Sequence, residues 1–597
     1  MENIRNLCMK SLSIHFFIHF NITILNEITI VFSELTPFLM ITLLWPIASM
    51  ETPKMTRMNY ILIGFKFGQA MELIYPNNVK LSEEDKTNLC YLAFPDSNSG
   101  CMGDTQFHIK IKCSQPLNLN QRHITYNAKC PVFLQADHRC LYGFVFFRQI
   151  KDLSLPRGYF QKSVIVLSKM PFISLFNEVC GTIAPEYFKH GITSIEVAFH
   201  DIQQWPELYV GETVSLPLLG IVLQAQLICD NNKICTSSNS MVPNYQLPVV
   251  VSSLYELNTF GCFSSVVPQM HLLWELVLTN EPIIVMTSSP TCCSQVVQAL
   301  VSLIVPLAYY GDYRPYFTIH DKEFKDYTNK NMNPPPIILG VTNPYFTKTL
   351  QHWPHIVKVT DTLRKDTLNK NKLRKGSNLK ILDAKPGVYT EYKPYLHKDK
   401  AILKKLFRGM QNKRPEEVQS ALLRRHFLEL TQSFMIPLER YMSTLMPLQR
   451  NISPFKSAPK PFPFNPDNFL ASLEYAGPQL TCGIKGDWKG LYKQFFKSPN
   501  FSAWYNVRYQ GMLMKLQVLQ IEALSSVDIK KWLENKLEVE IVDMILKIRQ
   551  KLDECENLGY SLNKRVKDQL KLKMDDIICS LPDDLKNVLS NKNSSNR

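Results

Sequence analysis

The sequence predicts an α/β plus α protein: a mostly antiparallel sheet backed by helices, then a sheet of parallel type, then a helical remainder. Three observations carry this. Short β-branched and aromatic runs separated by turn residues fill the first third, strand-like and helix-like runs alternate from about 255 to 360, and apolar stripes at helical spacing dominate the rest. With 597 residues, 45% hydrophobic and 20% charged, the composition is that of a globular protein. Single cores stop growing near ~250–300 residues, so three or four domains are expected. Collagen-like, disulfide-miniprotein and wholly disordered classes are excluded.

Residues 12–48 are apolar, but Asn21, Asn26, Glu27 and Glu34 interrupt them and Pro37 and Pro46 break the best stretch. No clean run of ~18–20 apolar residues survives for a spanning helix, and a secretory signal fits poorly. The next runs, Tyr60–Phe65 and Ala70–Tyr75, read as two strands joined tightly at Gly68. A second pair follows at Leu141–Phe147 and Ser163–Lys169. Pro171–Gly191 places Phe172, Leu175, Phe176 and Val179 at helical spacing, with Gly191 at the stop. This antiparallel module is assigned to residues 58–232, and a polar, turn-rich linker to 233–254.

The second module, 255–380, begins with a helix around Gln269–Thr279, a buried strand at Ile283–Thr287 and a helix across Ser294–Leu307. An aromatic segment, Tyr309–Asp321, and the strand Ile337–Val341 complete it. Strands separated by helices of this length argue for a parallel-type sheet. Residues 381–510 and 511–597 read as helical. Ala401–Leu448 is one long amphipathic stretch, and the six prolines from Pro447 to Pro466 require a loop. A helix after Asp528 carries the stripe Ile529, Trp532, Leu533, Leu537, Ile541, Ile545, Ile548 and Leu552, with Ser525 as a capping signal. The last helix, marked by Val566, Leu570, Ile577, Ile578 and Leu581, stops at Pro582.

Charge is distributed unevenly. Lys+Arg against Asp+Glu is 25 to 26 for residues 1–360 and 42 to 26 for 361–597, so −1 and +16 make the total of +15. The densest basic run, 358–380, has eight basic residues against two acids and contains Arg364, Lys365, Lys370, Lys372, Arg374 and Lys375 without any interleaved aromatic. That pattern disfavours RNA and fits a solvated loop, an anionic membrane or an acidic partner. Nucleic acid is not expected as a partner. The fifteen scattered cysteines include no C-x-x-C pair, which reads as reduced thiols in the cytosol rather than a zinc site.

No phosphate-cradling glycine loop, no G-x-S-x-G elbow and no H-E-x-x-H pair occur. Pro354 between His352 and His355 spoils a helical metal face, and packing is the better reading of both. Asp312, His320 and Asp321 lack a nucleophile beside them, so a structural or partner-contact role is preferred to acid–base chemistry. Neither a cofactor nor a metal is expected.

Longer segments carry a resemblance. Gly68–Ile111, with an E-L-I-Y-P turn and an F-P-D-S motif, is similar to the opening of an upstream DENN module. Leu273–Asp321 and Ile338–Ile356 resemble the central DENN module, and Leu422–Phe455 and Thr481–Tyr505 its downstream part. The combination, over about nine-tenths of the chain, resembles the sixth subfamily of DENN-domain proteins. Where that subfamily opens F-D-L-E-L-G-Q this chain reads GFKFGQ, Gly64–Gln69. Residues 1–57 do not resemble it, as befits a divergent extension or a wrongly predicted first exon.

The resemblance implies a longin-like antiparallel sheet with helices, a central α/β DENN sheet and a helical downstream DENN part. It implies a guanine nucleotide exchange factor for an endosomal Rab GTPase, of the Rab fourteen type, cytoplasmic and recruited to recycling endosomes in membrane traffic. No covalent chemistry is then needed, because the partner holds the nucleotide. An adaptor that binds Rabs or membranes without exchange is the alternative. Asp312, Tyr313, Arg314, Tyr316, His320 and Asn343 lie where a central sheet would open towards a partner and are the candidate Rab contacts, with core packing of the aromatics as the competing reading. The six basic residues from Arg364 to Lys375 are the candidate membrane or acidic-partner contacts.

Overall fold

The computed structural model describes residues 28–32, 61–65, 69–76, 81–96, 102–117, 119, 121–127, 130–155, 158–206, 213–226, 249–251, 257–360, 385–476, 478, 484–534, 536–557 and 564–591. The chain divides into two compact units: Met1–Thr431 with Cys482–Trp488, and Gln432–Thr481 with Lys489–Arg597.

The first unit holds three sheets. The largest has six strands, β1 (Ile28–Phe32), β2 (Ile61–Phe65), β3 (Gln69–Tyr75), β4 (Gly103–Lys112), β5 (Cys140–Lys151) and β6 (Tyr159–Ser168), in the order β1-β3-β2-β6-β5-β4. Neighbours are antiparallel throughout. Alternate residues of β5 face opposite layers, as the period of two requires. Phe144 meets Phe176 of the helix Ile173–His190 at 5.3 Å, and Phe147 meets Phe94 at 5.6 Å on the other side. Leu89 and Leu92 of the helix Glu83–Leu92 enter that second core with Phe107, Ile109 and Ile165. Both strand pairs and the helix read from the sequence are present. Gly191, at φ +71, ends the helix and turns the chain directly into a second one, Ile192–Gln203, a conformation that favours glycine.

A small sheet follows, β7 (Thr213–Leu218), β8 (Ile221–Gln226) and β9 (Val249–Val251), with β9 parallel to β8. Most of the linker expected at 233–254 lies outside the described residues.

The third sheet has the order β11-β12-β10-β13-β14, formed by β10 (Ile283–Met286), β11 (Asp312–Arg314), β12 (Ile337–Val341), β13 (His355–Lys358) and β14 (Gly387–Thr390). The first four strands run parallel, as the alternation of helix and strand predicts, and β14 closes the edge antiparallel. The helix Met270–Leu278 is buried along its whole length. The helix Pro290–Ser302 begins at Ser289, whose hydroxyl accepts the Cys292 amide at 3.3 Å. Gly340 on β12 admits close packing: a Cβ there would meet the Pro315 carbonyl oxygen, and Cys293 Sγ at 2.7 Å.

Four helical readings are corrected. The single amphipathic stretch of 401–448 is two helices, Lys400–Gln411 and Glu416–Thr444, because Lys413 is left-handed at φ +50 and Pro415 follows it. The helix after Asp528 is Ile529–Leu533 and then Glu538–Asn557, and Leu537, placed in its stripe, is 74% exposed. Ser525 is no cap, because it lies inside Pro499–Ser526 and its hydroxyl donates to the Glu522 carbonyl at 2.8 Å. The helix expected to stop at Pro582 does end before it, at Cys579, but it is not the last, since Asp583–Asn591 follows. Within the second unit, Tyr492 stacks on Phe434 at 4.3 Å and donates to its carbonyl at 2.7 Å. Leu524, Ile545, Ile548, Leu570 and Ile577 form its other core.

Candidate functional site

The edge strand β4 lies against the helix Pro290–Ser302 and β11, and this seam joins the six-stranded sheet to the five-stranded one within the first unit. Phe107, Ile109 and Ile111 of β4 share a core with Cys293 and Tyr316. Tyr316 is 1% exposed; its ring meets Phe107 edge-on at 5.1 Å and its hydroxyl accepts the Asp96 amide at 2.8 Å. Asp96 belongs to the F-P-D-S motif, so that motif supplies both the Phe94 packing and one hydrogen bond of the seam.

A buried charge network lies alongside. Lys110 Nζ of β4 is 3.6 Å from Asp312 and 4.0 Å from the Tyr313 ring centre. Arg314, 3% exposed, pairs with Asp312 at 3.1 Å and with Glu323, and donates to the Lys110 carbonyl at 3.4 Å. Tyr327 donates to Glu323 at 2.8 Å. Burial opposes the charge on Arg314, and the carboxylates of Asp312, Glu323 and Asp321 more than offset it, so its pKa is raised. Lys110 follows the same logic, with Tyr313, Cys140 and Asp312 outweighing its desolvation. For Asp312 the order reverses: burial pushes its carboxyl up, but Arg314 and Lys110 hold it below the usual range.

At the seam's outer edge His320 stacks on Tyr91 at 5.2 Å, one ring from each sheet's module. Burial raises the pKa of Asp96 beneath them, with His320 and a hydrogen bond from Asn343 acting against it. Tyr91, Ile319 and Tyr345 are 36, 36 and 51% exposed, and the exposed pair Lys322–Glu84, at 3.2 Å, bridges the same two modules, so the surface at the seam mixes aromatic, apolar and charged side chains.

Further along β4 a cleft of about 350 Å³ opens between the starts of the helices Ile173–His190 and Pro290–Ser302, lined by Gln106, His108, Asn177 and Ser294 with β9 beside it. His108 is 1% exposed, its two ring nitrogens have no hydrogen-bond partner among the described residues, and burial pushes its pKa down to about 3. The Cys293 thiol at the seam is pushed up to about 12 by burial, the opposite of an activated nucleophile. Among the described residues no three His, Cys, Asp or Glu side chains group as metal ligands. His355 is held by the Thr390 hydroxyl at 2.6 Å. The arrangement can clamp two modules together and present a surface.

Of the six residues singled out in the sequence, Tyr313, Arg314, Tyr316 and Asn343 are buried in or beside the seam, Asp312 is half-buried and His320 is exposed. All belong to one neighbourhood, two of them through the Asp96 carboxyl. Residues Arg364, Lys365, Lys370, Lys372, Arg374 and Lys375 lie outside the described residues. Lys110, Tyr91 and Glu323 were missed: nothing in the local pattern of a strand or helix tells which polar side chain faces another module.

The DENN (AEX-3) domain family matches residues 159–361, which span β6 to β13, and the DENND6 C-terminal domain family matches 529–592, the last four helices. Protein DENND6B of Homo sapiens is 48% identical over 537 residues, covering 89% of this chain and 92% of that protein. Protein DENND6A of Mus musculus is 47% identical over 536 residues, covering 88% and 89%. Protein DENND6 homolog of Dictyostelium discoideum is 34% identical over 589 residues, covering 86% and 79%. On identity sustained over nearly the whole of both chains, and with both domain families matched in order, this chain belongs to the DENND6 family of DENN-domain proteins.

Proposed function

We propose that the protein is a guanine nucleotide exchange factor that promotes GDP release from a Rab GTPase of the Rab fourteen type, acting at recycling endosomes in membrane traffic. The observation that carries this reading is the seam: a buried ion-pair network locks the six-stranded sheet, longin-like in this reading and reaching beyond the assigned 58–232 to include Ile28–Phe32, to the five-stranded sheet, which reaches beyond the assigned 255–380 to include Gly387–Thr390. Beside it lie exposed aromatic, apolar and charged side chains from both. Aromatic side chains are what a protein partner's surface engages. Rab contact is assigned to His320 and Asp312 together with Tyr91, Ile319 and Tyr345, while Tyr313, Arg314, Tyr316 and Asn343 hold that surface in place. Exchange then needs only that this surface bind the nucleotide-free Rab more tightly than the GDP-bound one; no bond is made or broken.

Among the described residues no helix is long and apolar enough to cross a membrane. Recruitment is assigned to surface contact, with the basic run from Arg364 to Lys375 as one contributor. Fluorescent-GDP release from a panel of purified Rabs tests the reading. Acceleration for one or a few Rabs is expected. No acceleration for any Rab overturns it, and saturable binding without faster release makes the protein an adaptor instead.

A further inference from the structure

The helix Lys400–Gln411 has one face committed and one face without a partner. Asp399 caps its start, accepting the Ala401 and Ile402 amides at 2.7 and 3.2 Å. Inward, Leu406 is fully buried, and a Cβ on Gly409 would collide with the Gln419 side chain, which lies directly on the Gly409 backbone. Gln419 also donates to the Leu406 carbonyl at 3.1 Å. That face cannot move without breaking both contacts.

The opposite face carries Lys400, Leu403, Lys404, Phe407, Arg408 and Gln411, which recur at the three- and four-residue steps that share one side of a helix. They wall a shallow depression of about 470 Å³, with Phe407 37% exposed among them. Lys400, Lys404, Lys405 and Arg408 form no ion pair among the described residues. From 398 to 414 the chain has seven basic residues and a single acid, Asp399, which is already occupied as the cap.

We propose that this face docks the protein on an anionic lipid surface, with the cations in the headgroup layer and Phe407 and Leu403 at its boundary with the acyl chains. Charge complementarity selects an anionic occupant. Two of the three cations on this face are lysines, compact charges on flexible stems that suit a fluid array of headgroups. An aromatic side chain left exposed at the centre of a cationic ring matches the layered polarity of a bilayer surface. The site is separate from the seam, so it does not rest on the exchange reading.

The test is co-sedimentation of the full chain with phosphatidylcholine vesicles, with and without phosphatidylserine. Binding is expected only with the anionic lipid and to weaken with salt. Each basic side chain at such a surface is worth about fivefold in partitioning, so Lys404→Glu with Arg408→Glu, a change of four charge units, should lower binding more than about a hundredfold. Phe407→Ser should weaken binding at every salt concentration without changing its salt dependence. Both variants should melt as the parent does and leave GDP release in solution, without vesicles, unchanged. Equal binding by the charge-reversed variant, equal binding to neutral vesicles, or polyglutamate binding as tight as that of the anionic vesicles would overturn the assignment.

Discussion

Arg314 is the residue whose loss the seam should tolerate least. It is 3% exposed and faces Asp312 at 3.1 Å and Glu323, whose side chains are themselves 31 and 19% exposed. At ~3 Å and an effective dielectric of about 20, each pair holds roughly 5 kcal/mol of Coulomb energy before desolvation is subtracted. Arg314→Met removes the cation, leaves Asp312 with Lys110 alone and strands the Glu323 carboxylate, with Asp321 behind it, without a cation. Removing one partner of a buried pair in this way costs ~3–5 kcal/mol. Against a total stability of ~5–15 kcal/mol, that leaves the first unit marginal. Urea unfolding followed at several probes measures it. Glu323→Gln placed on Arg314→Met should recover part of the loss, because it relieves the uncompensated charge, and Arg314→Lys should fall between the two. Lys322→Met is the control: its pair with Glu84 at 3.2 Å is open to solvent and its loss should leave the unfolding midpoint nearly unchanged. A loss below ~1 kcal/mol for Arg314→Met, or one equal to the control, would refute the reasoning.

Tyr316→Phe keeps the ring against Phe107 and removes the hydroxyl that accepts the Asp96 amide and contacts Thr342, so a loss of ~1–2 kcal/mol in denaturant titration is expected, well short of Arg314→Met. Gly340→Ala forces a Cβ against the Pro315 carbonyl and Cys293 and should cost ~1–3 kcal/mol; an unchanged unfolding midpoint would show that β12 has room to shift. His108 is held neutral, its pKa pushed down to about 3 by burial, so the stability it contributes is complete above its ordinary pKa of 6.5 and is lost as pH falls towards 3. Between those limits His108→Leu should flatten the stability–pH curve by about 1.4 kcal/mol per pH unit, read from unfolding midpoints across that window. Glu275, buried and raised to about 7, runs the other way and loses stability as pH rises from 4.5 through 7. Tyr91→Ala with His320→Ala should slow GDP release with little change in melting temperature, since both side chains lie at the exposed rim.

The strands were legible because their signal is local. Leu141–Phe147 and Ser163–Lys169 are β-branched and aromatic runs, and both became long strands of the main sheet; Ile337–Val341 was read to the residue. β11 and β14 were not legible. Asp312–Arg314 is three residues long and mostly charged, and it is a strand only because β12 offers a parallel partner. Gly387–Thr390 lies in a stretch that reads as helical and pairs with β13, some thirty residues upstream in sequence. Both pairings are tertiary facts. The break at Pro415 could have been read from the proline itself, whereas the one before Glu538 leaves Leu537 exposed in a stripe that looks continuous. At the site, the segment Tyr309–Asp321 stood out through its aromatic and charged content, but which of its side chains face inward depends on β4 and the helix Glu83–Leu92, two hundred residues away. Phe317 and Tyr316 are core, as the competing reading had it, while His320 next along is exposed.

The most direct test of exchange activity is the affinity of the full chain for one Rab in two states, nucleotide-free and GDP-bound. By linkage, the factor by which this protein weakens GDP binding equals the factor by which GDP weakens its own binding. The account predicts that the nucleotide-free Rab binds at least ~100-fold more tightly, a coupling of about 2.7 kcal/mol. Equal affinity for the two states, at any strength, would contradict it, because a surface that does not distinguish them cannot drive GDP release.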